Sequence, residues 1–363
     1  MDTRTDGAIP DADNGGGAAA RGRDVVTDVL GAVVLACSAG WALIAATGRP
    51  ARPEGVLLAV LAVAAGYAAG RIGGALLPVA APALTALAVV ALTVALPGRR
   101  TPPLGYANAD AALLVLATGA ACCAAWSARS RPLRTGLRLL GVTAAVLALV
   151  IGSAAGFAAS VGVVLCSLAA DRTSRLLGLT GLALATALAA GSTYAVAVDA
   201  LPAGLSASLT GQLTPGRVAV WREAVDLAGR HPVRGIGSGQ FAEVSQGEEG
   251  QAEPSVTAAA LSTAATDAAE PRSAPFQLAA EEGVPGVALL AASYAWVLLA
   301  LHRSVRPTPV VLTAGAALTG LAMQACVDHV LSYAAVTATA GLLAGLATAR
   351  PFADDPDRAP DRT

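Results

Sequence analysis

The sequence predicts an all-α membrane protein: about ten transmembrane helices and one large outer loop that carries short helices of its own. Three observations lead there. Hydrophobic residues make up 55% of the 363 and charged residues only 13%, about half the charge of a typical soluble domain. The apolar residues arrive in blocks long enough to cross a bilayer, and one long hydrophilic stretch interrupts them. A mean hydropathy of +0.61 excludes an ordinary soluble enzyme. The formal net charge of −1 supplies no basic field for nucleic acid, which is excluded as a partner. All 24 positions that carry Lys or Arg are Arg, which reads as GC-rich coding and a bacterial source.

Taken in order, residues 1–24 are rich in Asp, Gly, Ala and Arg without apolar periodicity and read as a disordered cytoplasmic N-terminus. Residues 25–198 hold seven apolar spans, at about 28–47, 55–70, 75–97, 109–127, 137–153, 154–170 and 176–198. Each approaches the roughly 20 residues that cross about 30 Å of hydrocarbon at ~1.5 Å per residue. Residues 137–170 read either as two short spans turning at Gly152-Ser153 or as one span plus a re-entrant piece. Residues 199–283 form the hydrophilic stretch. Residues 284–350 hold three further spans, at about 284–301, 308–327 and 330–349, and residues 351–363 read as a disordered cytoplasmic tail.

Orientation follows from the arginines, because positive loop charge stays in the cytoplasm. With the N-terminus inside, Arg21, Arg23, Arg71, Arg129, Arg131, Arg134, Arg138, Arg172, Arg175, Arg303, Arg306 and Arg350 fall on the cytoplasmic side, whereas the short outer loops hold Arg49, Arg52, Arg99 and Arg100. Both termini are therefore expected to be cytoplasmic, in a multi-pass protein of a bacterial cytoplasmic membrane with 199–283 outside. The five cysteines, Cys37, Cys122, Cys123, Cys166 and Cys326, lie in apolar blocks and read as packing residues. The three histidines, His231, His302 and His329, have no metal-ligand spacing, so no metal or cofactor is expected.

A loop of about 85 residues on a bundle with otherwise tiny loops is where function is expected. At its first end Thr214 suits an N-cap, Pro215 the first helical position and Gly229 the stop, predicting a helix over 215–228. Val218, Trp221, Val225 and Ala228 form its apolar stripe. Arg217 is spaced to stack on Trp221, and Arg222 to pair with Asp226. Pro232 to Phe241 follows, with Gly235, Gly237 and Gly239 alternating. No strand precedes them, so a dinucleotide fingerprint is rejected; the glycines read as a tight turn, or as a turn whose N–H groups meet an anion. At the second end, Pro271 to Gly286 reads as a short amphipathic helix, a Gly stop and re-entry into the bilayer, with Glu281 and Glu282 capping or solvating it.

Taken together, Gly216-Arg217, Trp221, Pro232 with Gly235, Gly237, Gly239 and Phe241, then Ser273, Leu278, Glu282, Gly283 and Gly286, resemble the O-antigen ligase and polymerase family. Gly105-Tyr106-Ala107-Asn108 looks like that family's Asn-containing outer turn. The resemblance implies a metal-independent glycosyltransferase of the cell envelope, a ligase or polymerase of polysaccharide biosynthesis. Its partners are a polyprenyl diphosphate-linked glycan such as an undecaprenyl diphosphate glycan, a glycan or lipid acceptor hydroxyl, and the membrane lipids. Arg presents a fixed fork to phosphate oxygens, so Arg217 first, then Arg272, with Arg230 and Arg234 and the Gly235, Gly237 and Gly239 turn, are the expected diphosphate-binding residues. The sequence departs from the family at Arg272, where the family carries His; guanidinium stays protonated and cannot act as a base. A base then falls to Asp267 or Glu270, with Asp328 and His329 as remoter candidates that also read as a wet turn. Two other readings stay open: a transporter of a lipid-linked sugar or small anion, and a catalytically silent scaffold of glycan assembly.

Overall fold

The computed structural model describes residues 14–94, 104–200, 215–241, 243–244 and 271–350. These form eleven helices and one 3-10 turn: α1 (Asn14–Ala46), α2 (Glu54–Leu76), α3 (Ala80–Val94), α4 (Ala107–Ser127), α5 (Arg131–Val150), α6 (Ala154–Ala169), α7 (Arg175–Ala197), α8 (Pro215–Arg230), α9 (Ala274–Arg303), α10 (Thr308–Val327), the turn Val330–Ser332, and α11 (Ala334–Thr348). Seven are long and apolar enough to cross a membrane, and α3, α6 and α11 are shorter apolar helices. Helix α1 begins at Asn14, upstream of the apolar span that starts at Val25.

Two helices form the centre. Along α4 every residue from Ala109 to Ala125 is buried, and α10 is buried over most of its length. A helix enclosed on all sides has no polar face to offer, and both are made mostly of Ala, Gly, Thr, Cys, Val and Leu, whose small members let neighbouring backbones approach. The outer helices instead present large aliphatics outward, among them Leu61, Leu177 and Val150 at 66%, 70% and 75% exposure. An inside made of small residues and an outside made of Leu and Val is the pattern of a bundle solvated by lipid rather than water.

Helices α2 and α11 run closest together. A Cβ on Gly70 would stand 2.2 Å from the Leu342 carbonyl oxygen, and one on Gly345 would stand 2.2 Å from that of Tyr67. Only glycine permits this approach. Residues 137–170 prove to be two helices: α5 ends at Val150, Gly152 takes φ 94°, and the Ser153 hydroxyl caps α6 by accepting from the Gly156 N–H at 3.2 Å. Helix α9 breaks at Gly283 (φ 74°), so Ala274–Glu282 is a separate short helix before the membrane-length one, as the sequence predicts.

The bundle has two ends. One, the loop end, gathers the described parts of the hydrophilic stretch with the 47–53, 104–106 and 328–333 connections. The opposite end carries the short turns at 77–79, 128–130, 170–174 and 304–307.

Candidate functional site

The site at the loop end is built by α8 and the first half of α9. Trp221 is fully buried, packs on Phe276 at 5.3 Å between ring centroids and donates its indole N–H to the Pro271 carbonyl at 2.8 Å. The buried stripe of α8 is Val218, Trp221, Ala224 and Leu227, which corrects the expected Val218, Trp221, Val225 and Ala228. Its partners, Phe276 and Ala280 of α9 and Val196 and Ala197 of α7, select a line of i, i+3 positions. With the indole enclosed, Arg217 does not stack on it; its guanidinium donates to the Val327 carbonyl at 3.3 Å. The Arg222–Asp226 pair is also replaced: Arg222 meets Asp199 at 3.1 Å, and Asp226 meets Arg230.

The second end of the hydrophilic stretch reaches the same place. Ser273 is buried and donates to the Cys326 carbonyl at 2.7 Å, pinning 271–273 against the end of α10. Arg272 takes φ 40°, a left-handed backbone that non-Gly residues rarely adopt. Its charge is close enough to act on the Tyr106 phenol.

At the centre of this convergence is Asp328, 4% exposed. Its carboxylate accepts from the Tyr106 hydroxyl at 2.8 Å to both oxygens, from Asn108 Nδ2 at 2.6 Å and from the His329 backbone N–H at 2.8 Å. Burial alone would raise this carboxyl, but the hydrogen bonds from His329, Tyr106 and Asn108 outweigh it and hold Asp328 below the usual carboxylate range. Tyr106 is pushed up to about 12 by burial and then by Asp328, with Arg272 opposing; it remains a phenol and a donor. The His329 ring lies 4.8 Å from Tyr106 and 5.8 Å from Tyr333, and its Nδ1 is 3.1 Å from Asp328 Oδ1, an ion-pair distance without hydrogen-bond alignment. Nδ1 is thus the ring nitrogen turned towards the carboxylate, and Nε2 the one turned away from it.

Of the sequence-predicted residues, Arg217 reaches the Val327 carbonyl, next in the chain to Asp328, and Arg272 acts on Tyr106, whose hydroxyl donates to Asp328. Arg230 and Arg234 do neither. Arg230 is half exposed beside Asp226, and Arg234 donates to the Ile44 and Thr47 carbonyls at the end of α1. In the glycine turn, the N–H of Gly235 goes to His231 O and that of Gly237 to Glu281 O at 2.9 Å, so neither is offered to an anion. Both hold positive φ, as does Gly239. A Cβ on Gly235 would meet the Glu281 carbonyl carbon at 2.3 Å. The turn is a buckle between α1 and α9, about two helical turns along α9 from Arg272. Asp267 and Glu270 lie outside the described residues. Glu281 and Glu282 are 4% and 3% exposed, so they do not solvate the re-entry helix; Glu282 accepts from the Ser238 hydroxyl at 3.3 Å.

Tyr106 and Asn108 stand in the sequence only as an outer turn. The signal that finds them is positional: they open α4 and Asp328 closes α10, so polar residues capping the two most buried helices must meet. Beside the cluster lies a cavity of about 360 Å³ whose wall includes Ala274 and Ser332. Among the described residues, no three His, Cys, Asp or Glu side chains gather as a metal site requires. Comparison with known proteins finds no matching family model and no matching curated sequence.

Proposed function

We propose that this protein is a membrane glycosyltransferase of the ligase or polymerase type, with about ten spans, both termini cytoplasmic and the loop end at the outer face of a bacterial cytoplasmic membrane. It moves a glycan from a polyprenyl diphosphate carrier to an acceptor hydroxyl. The observation that supports the reading is that both ends of the hydrophilic stretch reach the end of α10, where Arg217 donates to the Val327 carbonyl and Ser273, next to Arg272, to that of Cys326, beside Asp328 and His329.

The chemistry follows from those groups. Breaking the bond between the anomeric carbon and the diphosphate oxygen leaves negative charge on the leaving group, which two preorganised guanidinium groups stabilise. The acceptor oxygen forms the new bond to the anomeric carbon, and its proton passes to His329 Nε2. Asp328 orients the imidazole and stabilises the imidazolium, while Tyr106 and Asn108 hold Asp328 in place. The absence of His at position 272 is thereby met by a histidine from another turn.

The test is transfer by the purified protein from a polyprenyl diphosphate glycan to an acceptor glycan. The reading predicts transfer by the wild type that Arg217→Ala removes. A wild type that moves the lipid-linked glycan across a vesicle membrane without transferring it establishes a transporter instead. Polymer made equally in cells carrying wild type or Arg217→Ala establishes a scaffold.

A further inference from the structure

The cavity beside the cluster is not accounted for by the transfer chemistry. Helix α1 lies along α9 and α2 along α11, while α2 and α9 make no extended contact; the cavity is the space left between these pairs. Its deep walls are aliphatic, with Val60 and Val63 from α2, Leu289 and Val297 from α9, Leu321 from α10 and Ala344 from α11. Its volume of about 360 Å³ falls within the roughly 300–1,000 Å³ of ligand pockets. Several wall residues are half-buried rather than buried, including Val60, Val63 and Leu289, so the space opens between the helices.

At the loop end the lining changes character: Arg52, Ser238, Gln277, Glu281, Glu282 and Ser332. The Glu282 carboxyl stands here almost fully buried and accepts from the Ser238 hydroxyl. The one guanidinium, Arg52, is already paired with Glu243 at 3.0 Å. Glu282 holds its second oxygen over Gly286, where a Cβ would stand 3.0 Å from it, and both residues line the cavity. Around Glu282 the polar end therefore offers more acceptor oxygens than fixed positive charge. A diphosphate brings only acceptors and negative charge, and two acceptor-only groups repel. A sugar headgroup brings hydroxyl donors, which carboxyl, amide and hydroxyl oxygens receive.

We infer that this cavity binds an amphiphile with a hydrocarbon tail and an uncharged, hydroxyl-rich headgroup, a glycolipid, held at its head by Glu282, Ser238 and Gln277. The binding stands on the cavity alone. Its assignment as the acceptor, delivered beside His329 while the diphosphate is held at Arg217 and Arg272, rests on the transfer reading above.

The experiment places the purified full chain in phosphatidylcholine nanodiscs with an alkyl glucoside carrying a diazirine in its tail, and in parallel with the alkyl phosphate of the same tail. After photolysis the labelled peptides are read by mass spectrometry. The inference predicts glucoside adducts on α2 and α9, exceeding the phosphate adducts about fivefold or more, which is the factor one or more good hydrogen bonds supply. Glu282→Gln, which turns one acceptor oxygen into a donor, removes that preference, and Leu289→Trp, which fills the cavity, removes labelling of its walls by both probes. Equal yields from the two probes in the wild type, or a preference that survives Glu282→Gln, overturn the inference whether or not Leu289→Trp folds. Glucoside labelling with no glycan transfer by the wild type sinks the transfer reading and leaves the cavity standing; transfer without labelling does the reverse.

Discussion

The two ends of the bundle use the same residue type for different ends. At the end with short turns, arginines are bound into the fold. Arg306 is 6% exposed and donates to the Gly74 and Ala349 carbonyls at 2.7 and 2.9 Å; Arg175 donates to Ser304 O and Arg306 O; Arg71 donates to Thr348 O at 2.6 Å and meets Asp28 at 2.9 Å. Helix C-termini leave carbonyls without partners, and a guanidinium with five donors covers several at once. At the loop end Arg234 and Arg49 do the same work, but Arg217 gives the fold one long bond, and the strongest hydrogen bonds there belong to a carboxylate that faces a histidine. An arginine is therefore informative by what stands beside it: a row of carbonyls at the short-turn end, and beside Arg217 the turn that carries Asp328 and His329.

Four substitutions sharpen that contrast, in falling order of effect. His329→Ala at the loop end lowers glycan transfer by about 10²- to 10⁴-fold, the range of general-base catalysis, with the melting temperature close to wild type. A rate within threefold of wild type would remove His329 from the proposed role. Arg217→Ala lowers the same rate by about 10²- to 10³-fold, as loss of one preorganised charge partner does. Arg306→Gln at the opposite end behaves in reverse: it costs about 3 kcal/mol of stability, because two buried carbonyls lose a charged donor, while transfer per folded molecule is unchanged. Arg222→Ala changes stability by less than about 1 kcal/mol, since its pair with Asp199 is exposed.

The pH dependence separates the ends as well. Asp328 has its folded-state pKa depressed, so its contribution is fully present above the ordinary carboxylate value of about 3.9 and is lost as pH falls through the lower folded value. Thermal melts of wild type and Asp328→Asn should therefore differ at neutral pH and converge only below about pH 4. A difference that stays constant down to the acid end would mean that Asp328 is held by packing rather than by its charge.

Much of the fold was legible because it rests on local signals. Each expected apolar block coincides with a helix, and the breaks at Gly152-Ser153 and Gly283 sit on residues chosen for positive φ or for capping. What depends on a partner was not legible. The face that α8 buries is set by Phe276 and Ala280, residues distant in sequence, so the stripe rotates from Val225 and Ala228 to Ala224 and Leu227. The alternating glycines read equally as a tight turn or as an anion cradle, and only the contacts to Glu281 decide for the turn. Arg217 and Arg272 carried a signal in residue type, whereas His329 gains meaning from Asp328, Tyr106 and Asn108, which the packing of α4 against α10 brings together.

In the proposed orientation the end that carries Arg217, Arg272 and His329 faces the outer leaflet, where a lipid-linked glycan is presented. Single cysteines in a background without the five native ones test it most directly: Val233→Cys, exposed at the loop end, and Arg129→Cys, exposed at the opposite end. A membrane-impermeant maleimide should label Val233→Cys in intact cells and Arg129→Cys only after lysis. The opposite pattern would put the arginine and histidine cluster in the cytoplasm and contradict the account.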